Sequence, residues 1–334
     1  MSTQRSGILA AGNFIVDYVK IIDAYPEQDM LASILSESQA NGGGPYNVLK
    51  DLSAMQAGFP LVACGLVGDD ANGRWIYEDC VAHGIDATQL HRSQERSTSY
   101  TDAMTVQSTG RRTFFHQRGA NALFNESHCQ VGQTSARILH LGYLMLLDHM
   151  DSFATDGRTH AAHLLVSATE AGLQTSVDMV STEHPQFREI ALSAMPHTDH
   201  LIINEIEAAR VLNRTLSSSD GSALLNASRD LLALGVRQTV TIHTEHGASA
   251  CTHEKDEHFQ PSLLLPAGYS QGATGAGDAF AAGLLYALHE GWSLADRLRL
   301  AVCTAAASLS HPTPSGGMKP VRECLALADT FGFR

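Results

Sequence analysis

The sequence predicts an α/β fold with a mainly parallel β-sheet and a small second sheet that forms a lid. Short apolar runs alternate with longer stretches of helical spacing, which is the pattern of repeated βαβ units. Two other segments alternate polar and apolar residues without helical spacing, which favours antiparallel strands. The chain of 334 residues is long for one domain, but α/β folds of this size often form one large sheet.

The predicted elements follow one another in a regular order. Six apolar runs are predicted as strands of the main sheet: residues 8–11, 61–66, 138–141, 175–179, 200–203 and 239–242. Six stretches are predicted as helices: residues 46–56, 73–82, 160–170, 205–212, 223–234 and 278–290. Segments 16–35 and 97–115 are predicted as the lid strands, although ordinary surface hairpins would give the same pattern.

The composition narrows the class of partner to a small molecule. A formal net charge of -13 argues against nucleic acid and anionic membranes as partners, because both attract basic surfaces. No apolar run approaches the length of a membrane span, so no membrane insertion is expected. The six cysteines are widely spaced and form no CxxC pair, which predicts reduced thiols and a cytoplasmic location.

The stretch GATGAGDAF, residues 272–280, is the most informative part of the sequence because small residues there open an apolar helix. Glycines let the backbone approach a bound group, and the free amides of a first helical turn favour an anion. An aspartate in that turn, Asp278, can accept a proton from a substrate hydroxyl. Tight packing of helix against strand would use the same glycines, with Asp278 only a favourable first-turn acid.

A second glycine cluster, NGGGPYN at residues 41–47, precedes another predicted helix. Consecutive glycines allow hydroxyl groups to approach backbone amides, and Asn47 offers both a donor and an acceptor. Taken alone, such a cluster is usually a turn. Together, the two clusters resemble the C-terminal signature, DTTGAGD, and the N-terminal signature, GGxxxN, of the pfkB (ribokinase-like) carbohydrate kinases.

The resemblance implies roles for residues in both signatures. Asp278 is the expected catalytic base, Gly275, Ala276 and Gly277 form the anion hole, and Thr274 belongs to the nucleotide side. Gly272 stands where the family has an aspartate that helps to order a monovalent cation, so potassium activation is not implied. The expected substrate-binding residues are Asp17, Gly43, Gly44, Asn47 and Asn121.

The resemblance also implies a nucleotide side. Residues 204–207 match the family's NxxE motif, in which the Asn, here Asn204, lies by the phosphates and the Glu, here Glu207, orders magnesium. Acids enriched at a helix start would give the same pattern. Gly247 lies in the place of a nucleotide-contacting turn, and Thr304 lies on a helix expected to line the adenine pocket.

Other enzyme classes fit the sequence less well. None of the lysines follows a glycine, which excludes a P-loop, and residues 10–13 lack the dinucleotide-binding GxGxxG motif. Residues 268–272 match the GxSxG motif of serine hydrolases around Ser270, with His289 or His311 downstream, but five more small residues separate the serine from the helix. A non-catalytic sugar-binding relative is another alternative. Pairs such as His160 with His163 and His243 with His246 lack a supporting metal-binding pattern.

The resemblance covers nearly the whole chain and implies a single kinase domain over residues 1–334, with lid strands from about 14–40 and 96–120. The expected fold is a three-layer α/β/α sandwich, and the expected cofactors are ATP and Mg²⁺. The expected acceptor is a sugar or sugar acid, with a nucleoside as the alternative. A basic patch leaves a phosphorylated or carboxylated acceptor open: Arg111, Arg112, His116 and Arg118. Lid edges in this family commonly pair, so a homodimer through the lid is expected.

Overall fold

The computed structural model describes residues 5–334, and their secondary structure alternates as the sequence predicts. The strands are β1 Ile8–Gly12, β2 Ile15–Ile22, β3 Ile34–Gly42, β4 Leu61–Gly68, β5 Asp86–Ser93, β6 Tyr100–Val106, β7 Arg112–Gln117, β8 Ile138–Leu144, β9 Gln174–Met179, β10 His200–Asn204, β11 Thr239–Thr244, β12 Gly247–Thr252 and β13 Glu257–Pro261. The α-helices are α1 Gly44–Ala54, α2 Ala71–Ala82, α3 Asp148–Asp151, α4 His160–Glu170, α5 Phe187–Ala194, α6 Glu205–Leu212, α7 Gly221–Ala233, α8 Ala276–His289, α9 Leu294–Ser308 and α10 Val321–Phe331.

Nine strands form the main sheet of the described chain, in the order β13-β12-β11-β10-β9-β8-β1-β4-β5. The six predicted strands pair in parallel at its centre. The sequence prediction missed β5 at one edge and the antiparallel β12–β13 hairpin at the other. Edge strands mix polar and apolar residues, as the DATQLHRS sequence of β5 does, so a search for apolar runs does not find them.

Successive residues of the central strands point into two separate cores, one on each face of the main sheet. In β1, Ile8 and Ala10 pack with α1, α2, α8, α9 and α10, whereas Leu9 and Ala11 pack with α4, α5, α6 and α7. This follows from the two-residue period of a strand. The two cores confirm the three-layer α/β/α sandwich.

All six predicted helices form, the helix expected around Thr304 is α9, and the helices α3, α5 and α10 were not predicted. Local capping explains several of the observed helix starts. Asp70 accepts a hydrogen bond from the amide of Gly73 at the start of α2, and Asn204 caps α6 with Glu207 in a capping box. Helix α9 packs against α8, and α10 packs against α9 and closes the second core.

The lid is a separate four-stranded sheet in the order β3-β2-β6-β7. The predicted antiparallel pairing holds for β2 with β3 and for β6 with β7. The central pair, β2 with β6, is parallel instead. The reason is the connection. Each antiparallel pair is joined by a single loop, residues 23–33 or residues 107–111, whereas α1, β4, α2 and β5 lie between β3 and β6 and provide the long crossover that parallel strands need.

Two further properties bear on the expectations from composition. Within residues 5–334 no helix combines the length and the apolar character needed to cross a membrane. The six cysteines are all buried and carry free thiols.

Candidate active site

The candidate site lies where β1, β8, β9 and β10 end and the lid begins. In open parallel sheets, ligands bind beyond the carboxyl ends of the strands. Tyr143 lies near the end of β8, Asp178 near the end of β9, and Asn204 at the end of β10. Helix α8 begins beside them and carries Asp278 in its first turn.

Asp278 is buried and held by two donors. The amide nitrogen of Asn47 donates to Oδ2 at 2.7 Å, and the hydroxyl of Tyr143 donates to Oδ1 at 2.5 Å. Burial raises the pKa of Asp278 to about 6, while the hydrogen bonds from Asn47 and Tyr143 oppose that rise by stabilising the carboxylate. Asp278 is therefore a carboxylate poised to accept a proton near neutral pH.

The glycine loop turns sharply into α8. Gly275 lies directly before the helix with a left-handed φ of 80°. A Cβ at this position would lie 2.6 Å from the Cβ of Pro314, so both the backbone and the space require glycine. The Ala276 amide donates to the carbonyl of Ala273 at 3.3 Å, and the amides of Gly277 and Asp278 precede the first regular hydrogen bond of α8, from Ala279 to Gly275. Free amides in the first turn of a helix favour an anion.

Asn47 is oriented by its neighbours on and before α1. The amide nitrogen of Asn41 donates to Oδ1 of Asn47 at 2.7 Å, which leaves the Asn47 nitrogen to face Asp278. A Cβ on Gly43 would collide with the carbonyl oxygen of Asn13, and a Cβ on Gly44 would lie 2.8 Å from the ring of Tyr143. The glycines therefore allow the loop to close against β1 and β8.

Asp17 comes from lid strand β2. Burial raises the pKa of Asp17 to about 7; a hydrogen bond from Thr101 lowers it, and the charge of Asp278 raises it further. A Cβ on Gly42 would collide with the Asp17 carboxylate, so this acid lies directly against the glycine cluster. Asp17 and Asp278 thus face the same part of the cleft.

Asn121 lies elsewhere in the structure. It is fully buried, its backbone amide donates to the hydroxyl of Ser99, and its side chain donates to the carbonyl of Phe14 at 3.3 Å. These contacts brace the segment that enters the lid. No hydrogen bond in the described chain joins Asn121 to the Asp278 group, and its Oδ1 accepts none there, so its role as a substrate-binding residue stays a prediction.

Asn204 and Glu207 form a second acidic corner. Glu207 accepts hydrogen bonds from the Asn204 backbone amide at 2.9 Å, the Asn204 side chain at 2.8 Å and the Ser181 hydroxyl at 2.8 Å. Burial raises the pKa of Glu207 to about 7. Burial also raises the pKa of Asp178 well above its ordinary value, and the charges of Glu207 and Asp278 add to that rise. Buried carboxylates that repel one another are a donor set that suits Mg²⁺.

A cleft of about 540 Å³ opens on the other side of the glycine loop. Gly247 lines this cleft, as expected for the nucleotide side. Thr304 does not line it, and this corrects the sequence expectation: its hydroxyl donates back to the carbonyl of Ala301 at 2.9 Å and packs against Gly283 of α8. Helix α9 presents other residues to the cleft, namely Val302, Ala305, Ala306 and Leu309.

Thr274 contacts the lid. Its hydroxyl accepts a hydrogen bond from Arg112 of β7, and a Cβ on Gly272 would lie 2.8 Å from an Arg112 nitrogen. A guanidinium therefore lies beside the loop, next to the position where the family has an aspartate. This contact joins strand β7 of the lid to the glycine loop.

The sequence interpretation missed Tyr143, Asp178 and Arg112 as members of this group. Two of them had a signal in the sequence, because Asp178 and Tyr143 are polar residues at or just after apolar runs predicted as parallel strands. Arg112 was named only as part of the basic patch, because its contact with Thr274 depends on the folding of the lid.

The hydrolase alternative finds no support in the geometry. Ser270 lies in an irregular loop six residues before α8 and not on a strand-to-helix turn. His289 accepts from the Gly7 backbone amide at 2.9 Å, and His311 accepts from the Thr313 amide at 3.2 Å. Among the described residues, neither histidine hydrogen-bonds Ser270.

The fold and this arrangement of acids beside a glycine-led helix start define a small-molecule phosphotransferase. The pfkB family carbohydrate kinase model matches residues 10–320. The chain therefore belongs to the pfkB family of carbohydrate kinases.

Individual relatives agree with this assignment. An ATP-dependent ribose-1-phosphate kinase from Halopiger xanaduensis is 27% identical over 278 residues, which cover 83% of each chain. A fructokinase from Escherichia coli is 28% identical over 275 residues, covering 78% of this chain and 82% of the relative. The solved structure of Arabidopsis thaliana ribokinase complexed with ribose and ATP has a TM-score of 0.79 at 21% identity, and the match covers 97% of this chain and 98% of that chain. At this identity the last match establishes the fold alone.

Proposed function

We propose that this kinase transfers the γ-phosphate of ATP to a hydroxyl group of a sugar, with Asp278 as the general base. The observation that carries the proposal is the Asp278 carboxylate in the first turn of α8, buried and held by Asn47 and Tyr143. Its pKa of about 6 leaves it ionised at neutral pH but still basic enough to take a proton.

Phosphoryl transfer requires positioning and charge stabilisation more than covalent chemistry. The amides at Gly275, Ala276 and Gly277 would hold the transferring phosphoryl group at the start of α8, where the helix dipole favours negative charge. The nucleotide would occupy the cleft beyond this loop, which Gly247 and His243 line.

The buried carboxyl groups near the ends of β9 and β10 are candidate ligands for a divalent cation. Glu207 and Asp178 are the residues that would hold Mg²⁺, directly or through water. When bound, Mg²⁺ supplies positive charge that neutralises the phosphate oxygens. Asn204 keeps Glu207 oriented through the capping box at the start of α6.

The charges around the acceptor side favour an uncharged sugar over a sugar acid or sugar phosphate. Asp17 and Asp278 face that side and would repel an anionic acceptor. Three members of the basic patch offer little compensation: Arg112 hydrogen-bonds Thr274 of the glycine loop instead. Arg118 is paired with Asp148 at 2.6 Å, and burial lowers the pKa of His116 to about 4, so His116 is neutral. Carboxylates do accept hydrogen bonds from sugar hydroxyls.

The lid supplies a means to exclude water from the reaction. Asp17 on β2 and Arg112 on β7 both reach the site from the lid, one toward the acceptor side and the other toward the glycine loop. Closure would bring both into contact with bound substrates and would limit hydrolysis of ATP.

The test is acceptor-dependent release of ADP from ATP and Mg²⁺ across a panel of sugars, sugar acids, sugar phosphates and nucleosides. Asp278→Asn should lower kcat by about 10²–10⁴-fold, because the amide cannot take the proton. The matched control is Asp296→Asn, since Asp296 occupies the same first-turn position in α9, away from the site.

Full activity in Asp278→Asn would overturn the role of Asp278. ADP release with nucleosides alone would replace the sugar by a nucleoside as acceptor. If no acceptor in the panel stimulates ADP release and calorimetry detects no ATP binding, the proposal of an active kinase fails.

A further inference from the structure

A cluster of two histidines and one glutamate lies outside the kinase site, and the mechanism does not use it. Glu126 belongs to the short turn Glu126–His128, His149 to α3 and His160 to the first turn of α4. One ligand atom from each of these three residues lies within 4.8 Å of the other two. The fold brings together three segments that are separated in sequence.

The contacts converge on the Glu126 carboxylate. His160 Nδ1 lies 2.6 Å from Oε1, and His149 Nε2 lies 3.5 Å from Oε2. The centroids of the two imidazole rings are 4.3 Å apart. A divalent ion placed between the two imidazoles and the carboxylate would take one ligand atom from each of the three residues.

The ligand chemistry selects the class of metal. Imidazole nitrogen and carboxylate oxygen are the ligands of zinc and neighbouring first-row ions, and they bind at about 2.0–2.2 Å. Mg²⁺ prefers oxygen ligands, so the metal of the kinase reaction does not fit this cluster. Short shifts of the side chains would bring the three ligand atoms to bonding distance of a common centre.

The cluster is also accessible. The side chains of Glu126, His149 and His160 keep 31%, 40% and 24% of their surface exposed. His149 also lines a surface cleft of about 590 Å³, which provides an entry path. Water can complete the coordination from this side, which gives three protein ligands and an open position.

We propose that Glu126, His149 and His160 bind a divalent first-row transition metal such as Zn²⁺. The bound ion would join the turn at 126–128 to α3 and α4. Because the ion binds the folded chain, the free energy of unfolding should increase with the concentration of the metal. The site is independent of the proposed sugar kinase activity, because none of its ligands contacts the residues around Asp278.

The test uses the full chain, stripped with EDTA and exchanged into metal-free buffer. Titration with ZnCl₂ against a chromogenic chelator gives the affinity and the stoichiometry, and CoCl₂ gives a visible spectrum that reports imidazole ligands in a tetrahedral site. We expect one tightly bound equivalent and a rise in Tm on addition of Zn²⁺. His149→Gln and His160→Gln should each weaken binding about tenfold or more.

His163→Gln is the matched control. His163 lies one turn after His160 on α4, but it contacts Asp156 at 3.0 Å and is not one of the three ligands. This variant should bind Zn²⁺ like the wild type. Equal affinity in the wild type, His149→Gln and His160→Gln would overturn the proposal, as would the absence of Zn²⁺ binding. Either result would leave a hydrogen-bonded surface network.

Discussion

Four buried carboxyl groups determine the electrostatics of the kinase site. Burial raises the pKa of Asp17, Asp178, Glu207 and Asp278, and Asp278 raises the pKa of both Asp17 and Asp178 through its charge. Such groups destabilise one another unless cations or donors compensate them. The donors to Asp278 are Asn47 and Tyr143, so these two residues set how readily the proposed base ionises.

Replacement of Tyr143 tests this control of the base. The Tyr143 hydroxyl stabilises the Asp278 carboxylate, so Tyr143→Phe should raise the pKa of Asp278. The base then ionises only at a higher pH. The acidic limb of the kcat/KM profile should therefore move to higher pH by about half to one unit. The measurement is a pH–rate profile from about pH 5 to 9. Tyr286→Phe, at the far end of α8, is the control, and an unmoved limb in Tyr143→Phe would contradict the prediction.

Asp51 on α1 is a buried acid whose ionisation should lower the free energy of unfolding. It is fully buried on α1, and within the described chain neither of its carboxylate oxygens accepts a hydrogen bond. Burial raises its pKa well above its ordinary value of 3.8, and the nearby Ser315 hydroxyl and Lys50 charge only partly oppose that rise. The folded state therefore binds this proton more tightly than the unfolded state, and the contribution of Asp51 to stability falls as the pH rises above the unfolded pKa.

Asp51→Asn should remove this pH-dependent loss. The free energy of unfolding of the variant, relative to the wild type, should increase between about pH 4 and pH 8, by on the order of 1 kcal/mol or more. Urea unfolding at the two pH values measures it. Asp256→Asn, at an exposed position, should change stability little at either pH. A wild type that gains stability over the variant with rising pH would show that Asp51 has a cationic partner.

At the scale of elements, the glycines at the two ends of α8 have different requirements. Both need a left-handed backbone, but only one of them also lacks space for a side chain. Gly275 and Gly291 both have a left-handed φ, 80° and 72°, and flank the same helix. A Cβ on Gly275 would press on Pro314, whereas a Cβ on Gly291 would meet nothing within 4 Å. Alanine should therefore lose a similar amount of stability through its backbone at both positions. Only at position 275 should a steric clash add to that loss.

Gly275→Ala should therefore be the more damaging substitution. Gly291→Ala should cost about 1–2 kcal/mol of stability through its backbone and leave kcat unchanged. Gly275→Ala should cost about 1–3 kcal/mol more and should also lower kcat, because a shift of the loop displaces the amides at the helix start. Urea unfolding and steady-state kinetics on both variants decide this. Equal effects on stability and kcat would refute the steric argument.

At the scale of the whole molecule, the lid has an unusual apolar surface. Large apolar side chains are exposed along its edge strands and connecting turns: Tyr25, Met30, Leu31, Ile34, Leu35, Phe114 and Phe115. Exposed apolar side chains on the edge strands of a small sheet favour pairing with another chain. The homodimer through the lid, with a second copy of this chain as the partner, stays a prediction.

Substitution on the lid edge tests the dimer. Ile34 on β3 and Val81 on α2 are matched in exposure, at 53% and 54%. Ile34→Asp should shift the protein from dimer to monomer in light scattering coupled to size exclusion, because a charge would be buried at the interface. Val81→Asp should leave the mass unchanged. A monomeric wild type, or a dimer that survives Ile34→Asp, would count against pairing through this edge.

The sequence by itself determined the features that depend on local pattern. Apolar runs of strand length predicted the central parallel strands, and helical spacing predicted six of the helices. Both succeed because the spacing of buried residues along a strand or helix is a local property of the chain. The glycine loop before Asp278 and the glycine cluster before Asn47 were also readable, since both depend on backbone conformations that few residues adopt. Their order along the chain indicated the kinase family before any contact was known.

Only the tertiary structure decided which distant side chains meet. Tyr143 and Asp278 are 135 positions apart, and their contact depends on how β8 and α8 pack. The direction of Thr304 depends on the rotation of α9, which a sequence pattern does not fix to within one residue. Likewise, the convergence of Glu126, His149 and His160 requires three segments to pack together. Such contacts arise from long-range packing, and the local sequence around a residue does not identify the distant residue that it contacts.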